Sequence, residues 1–260
     1  MTTFIHPYND CMAGYREIAP AQRLIRYVEC YWSRKDTVGT PQHPVLPDGC
    51  ADILFSTCDN EASGVALVGL MTTPQVVNIP AGQLFFGVRF RPGMASAFVP
   101  EAPALNDRNE PLENVVGRAA RELLERFLES KTPEEMAGVM NSFLRPLEPP
   151  DVAQRALQNL YLTGDSIEQV AAQAGLSTRQ FRRLCIDRAG VSPKYLSRIV
   201  RFRNATQRIA TLAAKPAQPD WAQFAAACGY FDQAHFIREF QEFSGITPGR
   251  YLQSLLPRRS

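Results

Sequence analysis

The 260-residue sequence predicts an α+β protein. A small β-rich sheet or barrel domain with an αα-hairpin should be followed by an all-α domain of two helix-turn-helix units joined by a long linker helix. Three observations carry this expectation: apolar residues alternate with a period of two up to Arg91, the period becomes helical from Leu112, and one pattern occurs twice beyond Ser166.

Residues 1–22 contain two prolines and little periodicity, and read as an irregular lead-in. Arg26–Trp32 sets Tyr27, Glu29 and Tyr31 against Val28, Cys30 and Trp32, as an aromatic, β-branched strand does. A loop through Pro41 and Pro44 follows, and the turn Pro47-Asp48-Gly49 leads into a second strand at Ala51–Ser56. Val65–Met71 and Gln75–Ile79 are short β-branched runs punctuated by Gly and Pro, the texture of a small antiparallel sheet or barrel. Gln83–Arg91 is the most regular strand, with Leu84, Phe86, Val88 and Phe90 on one face and Phe85, Gly87, Arg89 and Arg91 on the other.

From Leu112 to Leu128 an apolar stripe at i, i+3, i+4 spacing predicts one helix of about five turns. A second helix opens at Thr132, with Pro133 in its first turn and Glu135 completing a capping box, and turns Met136, Val139, Met140, Phe143 and Leu144 inward. The stripe of this hairpin should pack on the sheet or on its partner helix; a homodimer interface is the alternative. Pro146, Pro149 and Pro150 mark a linker, dividing the chain into residues 1–147 and 151–260. Asp151 then caps a helix with Val152, Ala156, Leu157 and Leu160 inward.

The repeated pattern runs from Ile167 to Pro193 and again from Trp221 to Pro248. In each copy a helix of about two turns ends at a glycine, Gly175 or Gly229, where the backbone needs φ > 0. A polar cap, Ser177 or Asp232, opens a second helix that buries Phe181, Leu184 and Cys185 in one copy and Phe236, Ile237 and Phe240 in the other. Its opposite face is polar. A bracing helix, a glycine turn and a second helix with a free polar face are what entry into the DNA major groove requires. Ser192-Pro193 starts the linker helix, expected to reach about Ala214; Lys215–Pro219 reads as a loop, and Asp220 and Thr247 cap the later helices.

Composition agrees with this division. The net charge of +2 hides 15 Lys/Arg against 8 Asp/Glu from Asp151 onward, and 13 against 18 before it. A basic half is the footprint of a nucleic-acid partner; an acidic half would be repelled by phosphate and needs another task. No apolar run is long enough for a membrane span, and MTTFIHPYND lacks the features of a signal peptide, so a cytoplasmic location without membrane association is expected. Six cysteines without CxxC spacing read as free thiols, with Cys185 and Cys228 on buried helix faces.

Ala171, Gly175, Ser177, Phe181, Arg182, Gly190, Ser192, Pro193, Arg201 and Ala205 in the first unit and linker, then Ala225, Gly229, Tyr230, Phe236, Arg238, Phe240, Gly245, Thr247 and Pro248, carry a resemblance over residues 151 to 255. This stretch resembles the AraC/XylS family of bacterial transcription regulators. Through RYVECYW (Arg26–Trp32), LPDGCADILF (Leu46–Phe55) and GVRFRPG (Gly87–Gly93), the N-terminal part is similar to an uncharacterised domain that precedes this unit in some members. The resemblance implies double-stranded DNA as a partner, with RNA polymerase and a small-molecule effector as further candidates; no cofactor is expected. Residues 1–147, acidic, aromatic-rich and carrying the spare apolar helix stripe, are expected to hold the regulatory input and most of the self-association, giving a homodimer.

Thr178, Arg179, Arg182 and Arg183 lie on the polar side of the first recognition helix, where Arg can grip guanine or phosphate bidentately. The bland alternative is a solvated helix face. Gln233, His235 and Arg238 occupy the matching positions of the second, which opens with an Asp and has one Arg, so backbone contact is expected to dominate there. Phe181, Phe236, Phe240 and Trp221 fall at core positions rather than as stacking platforms.

In the N-terminal part, Asp48, Asp52, Arg89 and Arg91 are charges inside apolar segments, expected either to pair with one another or to line an effector pocket. Such an effector is expected to be polar or anionic. Cys30, Cys50, Cys58 and His43 form a weaker candidate for a thiol or metal sensor, since their spacing matches no ligand pattern. The four-cysteine zinc site of DNA-repair regulators with a similar C-terminal unit is absent from this spacing. No Ser/His/Asp, GxSxG, P-loop or GxGxxG arrangement appears. Catalysis is not expected; a small N-terminal enzyme around Asp48, Asp52 and His43 is the competing reading.

Overall fold

The computed structural model describes residues 14–58, 61–213 and 219–256. Strands β1 (Tyr15–Ile18), β2 (Val28–Lys35), β3 (Thr40–Val45), β4 (Ala51–Cys58), β5 (Glu61–Val68), β6 (Gln75–Ile79), β7 (Leu84–Phe90) and β8 (Asn109–Pro111) come first. Six of them form one antiparallel sheet in the order β1-β2-β7-β4-β5-β8, while β3 and β6 pair separately. With edges at β1 and β8, the large sheet is open, not a barrel.

Strand alternation sorts side chains between the two faces of this sheet. Tyr31, Ile53, Phe55, Phe86, Val88 and Phe90 are buried on one face. They pack under helices α1 (Leu112–Val116), α2 (Arg118–Glu129) and α3 (Pro133–Phe143), with the Phe127 ring 5.0 Å from Phe55 and 5.5 Å from Phe86. The αα-hairpin therefore spends its apolar stripe on the sheet, which removes the basis for a homodimer interface there; only Leu128, at the margin of the stripe, is exposed.

Four expectations need correction. The stretch from Leu112 to Leu128 is two helices, because Gly117 takes φ 60° and ψ −136°, outside any helical region. The loop through Pro41 and Pro44 is strand β3; its register slips between Thr40 and His43, around Pro41, and because it pairs with β6 alone it is an edge strand, where a proline such as Pro44 is tolerated. The lead-in contains strand β1 at residues 15–18; residues 1–13, with Cys11, lie outside the described residues. Val152 is exposed, and Ala153 is buried in its place.

The C-terminal half holds α4 (Val152–Thr163), α5 (Ile167–Gln173), α6 (Thr178–Ala189), α7 (Pro193–Ala213), α8 (Trp221–Ala227), α9 (Gln233–Ser244) and α10 (Pro248–Leu255). The expected caps are present: Asp151, Ser166 and Ser177 each form a capping box with the Gln three residues on, and Asp220, Asp232 and Thr247 accept from first-turn N–H groups. The loop expected at Lys215–Pro219 falls largely outside the described residues. No helix among the described residues is long and apolar enough to cross a membrane.

Segments of the N-terminal half enter the helical cores. Leu46 joins Ile199 and Phe202 in one cluster, and Cys50 and Leu70 join Leu157, Tyr161 and Leu196 in another. Polar links run alongside: Asn106 Nδ2 donates to the Ala189 carbonyl at 3.1 Å, and Gln154 Nε2 to that of Gly93 at 3.2 Å.

Candidate functional site

The two helix-turn-helix units are built alike down to single hydrogen bonds. Helices α5 and α8 each have seven residues, and α6 and α9 each have twelve. Gly175 (φ 68°) and Gly229 (φ 78°) follow the first helix of each pair. Behind them the N–H of Leu176 reaches the Ala171 carbonyl at 2.9 Å, and that of Tyr230 reaches Ala225 at 3.0 Å. This bond five residues back, to a carbonyl that also accepts from the N–H of Ala174 or Cys228, closes the helix end and sets the angle at which the second helix leaves. Phe181 and Phe236 then seat the second helices at the same register, both fully buried.

With that face buried, the opposite face of α6 turns outward. Thr178, Arg179, Arg182 and Arg183 are exposed, and among the described residues the three arginines make no ion pair. Arg188, farther along, is tied to Asp151 at 2.7 Å. On α9, Gln233 and Arg238 are exposed. His235 is differently placed: its ring accepts from the Phe231 N–H, sits edge-on to Tyr230 and lies 3.6 Å from Glu239.

Glu239, Arg198 and Glu242 were not singled out by the sequence, and Arg201 entered only through the resemblance. The carboxylate is buried in α9 and receives Arg198 at 2.7 Å and Arg201 at 3.1 Å from α7, while Arg198 also reaches Glu242. This network clamps the second recognition helix to the linker helix. Its signal was present as two charge pairs of equal spacing, Arg198/Arg201 and Glu239/Glu242, one on each helix.

A cavity of about 490 Å³ lies between the outer face of the six-stranded sheet and the two-stranded β3–β6 sheet. Trp32, Asp52, Leu54, Phe85 and Arg89 are on the side of the large sheet, and His43 and Val77 on that of the small one. Asp48 also lines it, from the turn before β4. Arg89 Nε is 3.3 Å from Asp48 and 3.8 Å from Asp52, its cross-strand neighbour. Arg91 lies beyond the end of β7, outside the cavity wall, and donates from Nε to the Ile25 carbonyl at 3.1 Å.

Burial sets the protonation chemistry here. Asp52 is pushed up to about 6 by desolvation, against the pull of Arg89; Asp48 and Glu29 push it further up, and the Trp32 N–H, 3.0 Å away, draws it down. His43 is lowered to about 4 by burial and by the Arg34 charge, so it is neutral at neutral pH. Arg34 itself is held by Asp36 at 2.6 Å. Burial would raise the Asp36 carboxyl, but hydrogen bonds from Thr40 and Gly39 and the Arg34 charge hold it below the usual range. Cys30 and Cys50 are buried thiols raised by desolvation, Cys50 at the junction with α4, where its Sγ is 3.5 Å from Tyr161 Oη. Among the described residues no group of three His, Cys, Asp or Glu could hold a metal ion.

The cavity floor depends on one glycine. A Cβ on Gly87 would stand 2.1 Å from the Trp32 ring, which lies across β7 at that point. Gly87→Ala is therefore expected to evict Trp32 and cost about 1–3 kcal/mol, as overpacking does, read as a lowered urea midpoint with an unchanged slope.

Residues 16–111 match the model of a domain of unknown function (DUF6597), and residues 170–254 match that of a helix-turn-helix domain of the AraC type. Among solved structures, the C-terminal domain of AraT, a response regulator from Geobacillus stearothermophilus, is similar over 42% of this chain and 90% of its own, at 23% identity and a TM-score of 0.35. ToxT from Vibrio cholerae O395 is similar over 88% and 97%, at 11% identity and a TM-score of 0.40. ToxT from strain SCE256, solved bound to an unsaturated fatty acid, is similar over 85% and 93%, at 11% identity and 0.39. No curated protein sequence matches the chain. The chain therefore carries a helix-turn-helix domain of the AraC type at its C-terminal end, preceded by a DUF6597 domain, and the duplicated helix-turn-helix geometry agrees with the first of these matches.

Proposed function

We propose that the protein is a transcription regulator that reads double-stranded DNA sequence-specifically through α6 and α9, working in the cytoplasm beside RNA polymerase. Residues 151–260 form the DNA-binding part and residues 1–147 the regulatory input. The observation that carries this is the pair of recognition helices, each seated by a buried Phe and facing outward with polar side chains, joined by one helix. At ~1.5 Å per residue, the 21 residues of α7 span roughly 30 Å, close to the ~34 Å turn of B-DNA. Two successive major-groove segments are thus within reach of one chain. The test is a footprint of the full-length protein on an operator selected from randomised duplexes. Protection of two segments about one turn apart is expected; a footprint of half a turn, or equal affinity for a scrambled duplex at about 150 mM salt, would sink the reading.

Control by a small molecule has its own support. The segment Leu46–Cys50 has Leu46, Asp48 and Cys50 at the cavity wall, while Leu46 and Cys50 also pack into the two helical cores. Gly49 (φ 85°) lets it turn between them, and a Cβ there would stand 3.0 Å from Leu196 of α7. A ligand that moves Asp48 would press on the linker helix through this segment, giving cavity and recognition helices a shared two-state element of the kind coupling requires.

A further inference from the structure

We propose that the cavity takes a small organic cation, an ammonium carried on an aromatic or apolar body, with Asp52 and Asp48 meeting the charge and Trp32 and Tyr15 the body. This rests on reading the cavity as the effector site and names the ligand's chemical class.

Charge decides between a cation and an anion. The charged residues lining the cavity are Arg34, Arg89, Asp48 and Asp52. Arg34 is matched by Asp36, and His43 beside it is neutral at neutral pH. Arg89 is one guanidinium between two carboxylates. The cluster therefore has an excess of one negative charge; Glu29, with its Oε2 3.6 Å from Cys50 Sγ, lies nearby but is offset by the buried Arg203 of α7. An anion seeking Arg89 would have to displace a carboxylate and lie beside both in a poorly hydrated space, where like charges repel several-fold more strongly than in water. A cation would bring the cluster to neutrality. The earlier expectation of a polar or anionic ligand took Arg89 as available, and the structure shows it engaged.

The walls suit the rest of such a ligand. Tyr15 and Trp32 stack with ring centroids 6.1 Å apart, and Phe85 lies on the same face of the sheet. Aromatic faces attract cations as well as flat apolar bodies. The Trp32 indole N–H holds Asp52, so the ring and the carboxylate form one fixed unit.

The groups around Asp52 are Asp48, Arg89 from β7, and Glu29, Cys30 and Trp32 from β2. Its ionisation near pH 6 gives a second signature, because a cation binds the ionised carboxylate and must lose affinity as pH falls through about 6. The ammonium keeps its charge throughout.

The test uses full-length protein and three ligands sharing one indole body: tryptamine, tryptophol and indole-3-acetate, followed by calorimetry and thermal shift. Tryptamine is expected to bind at least about tenfold tighter than tryptophol, and indole-3-acetate more weakly than either. Tryptamine affinity should fall about tenfold from pH 7 to pH 5, the change in ionised Asp52 for a group titrating near 6. Asp52→Asn should remove both the preference for the amine and its pH dependence. If the variant does not fold, the wild-type pH profile still decides. Equal or tighter binding of indole-3-acetate would overturn the cation assignment while leaving a ligand cavity in place, and so would a flat pH profile. If none of the three binds at millimolar concentration, the cation class is rejected. Leu54→Trp, which fills the cavity from its floor, then judges the effector reading separately: altered operator affinity keeps it, and unaltered affinity removes it.

Discussion

Replacing Arg179, Arg182 and Arg183 together by alanine is expected to abolish operator-specific binding while leaving the protein folded. Each guanidinium that grips a base edge or phosphate bidentately contributes about 1–3 kcal/mol, so losing three should weaken binding by at least about two orders of magnitude. Stability should be nearly untouched, because all three are exposed and make no ion pair among the described residues. The single changes separate their roles. Arg182→Ala, if it reads a base, should relax preference at one base pair. Arg238→Ala, if it holds phosphate, should weaken all sequences alike and flatten the log–log salt dependence by about one unit. Titrations of operator and scrambled duplexes at several salt concentrations check this, with circular dichroism and melting as the folding control. Retained operator affinity in the folded triple variant would show that α6 does not carry recognition.

Glu239→Ala should be the most destabilising single polar change in the second unit. The carboxylate is buried against Arg198 and Arg201, which hold 24% and 31% of their side-chain exposure. Breaking a buried pair by removing one partner costs about 3–5 kcal/mol, and the partial exposure of the arginines favours the lower end. The loss should be local to α8–α9 and their seat on α7, so a whole-chain midpoint is the wrong readout. Hydrogen exchange is the right one: amides of α9 should lose protection before those of α4–α6. Glu239→Gln keeps the shape and an acceptor and should cost less. Unchanged protection in Glu239→Ala would mean that the aromatic packing of Phe236, Phe240 and Phe243 holds α9 alone.

What the sequence by itself determined is what depends on neighbours within a few residues. The caps at Ser166, Ser177, Asp220 and Asp232, the glycines ending α5 and α8, and the buried Phe181 and Phe236 are local, because a helix start, a φ > 0 stop and a helical face are each decided within about one or two turns. The alternation in β7 was legible for the same reason. Only the tertiary structure decided the rest. Strand β3 owes its existence to β6, more than thirty residues away, and its prolines hid it. Arg89 and Arg91 share a face by alternation, yet the strand ends at Phe90, where the Arg91 N–H turns to Tyr27; one guanidinium then meets two carboxylates and the other a backbone carbonyl. The cavity, the Glu239 clamp and the insertion of Leu46 and Cys50 between the halves are likewise meetings of distant segments. Such contacts are chosen by the packing of the whole chain, which a pattern of nearest neighbours does not contain.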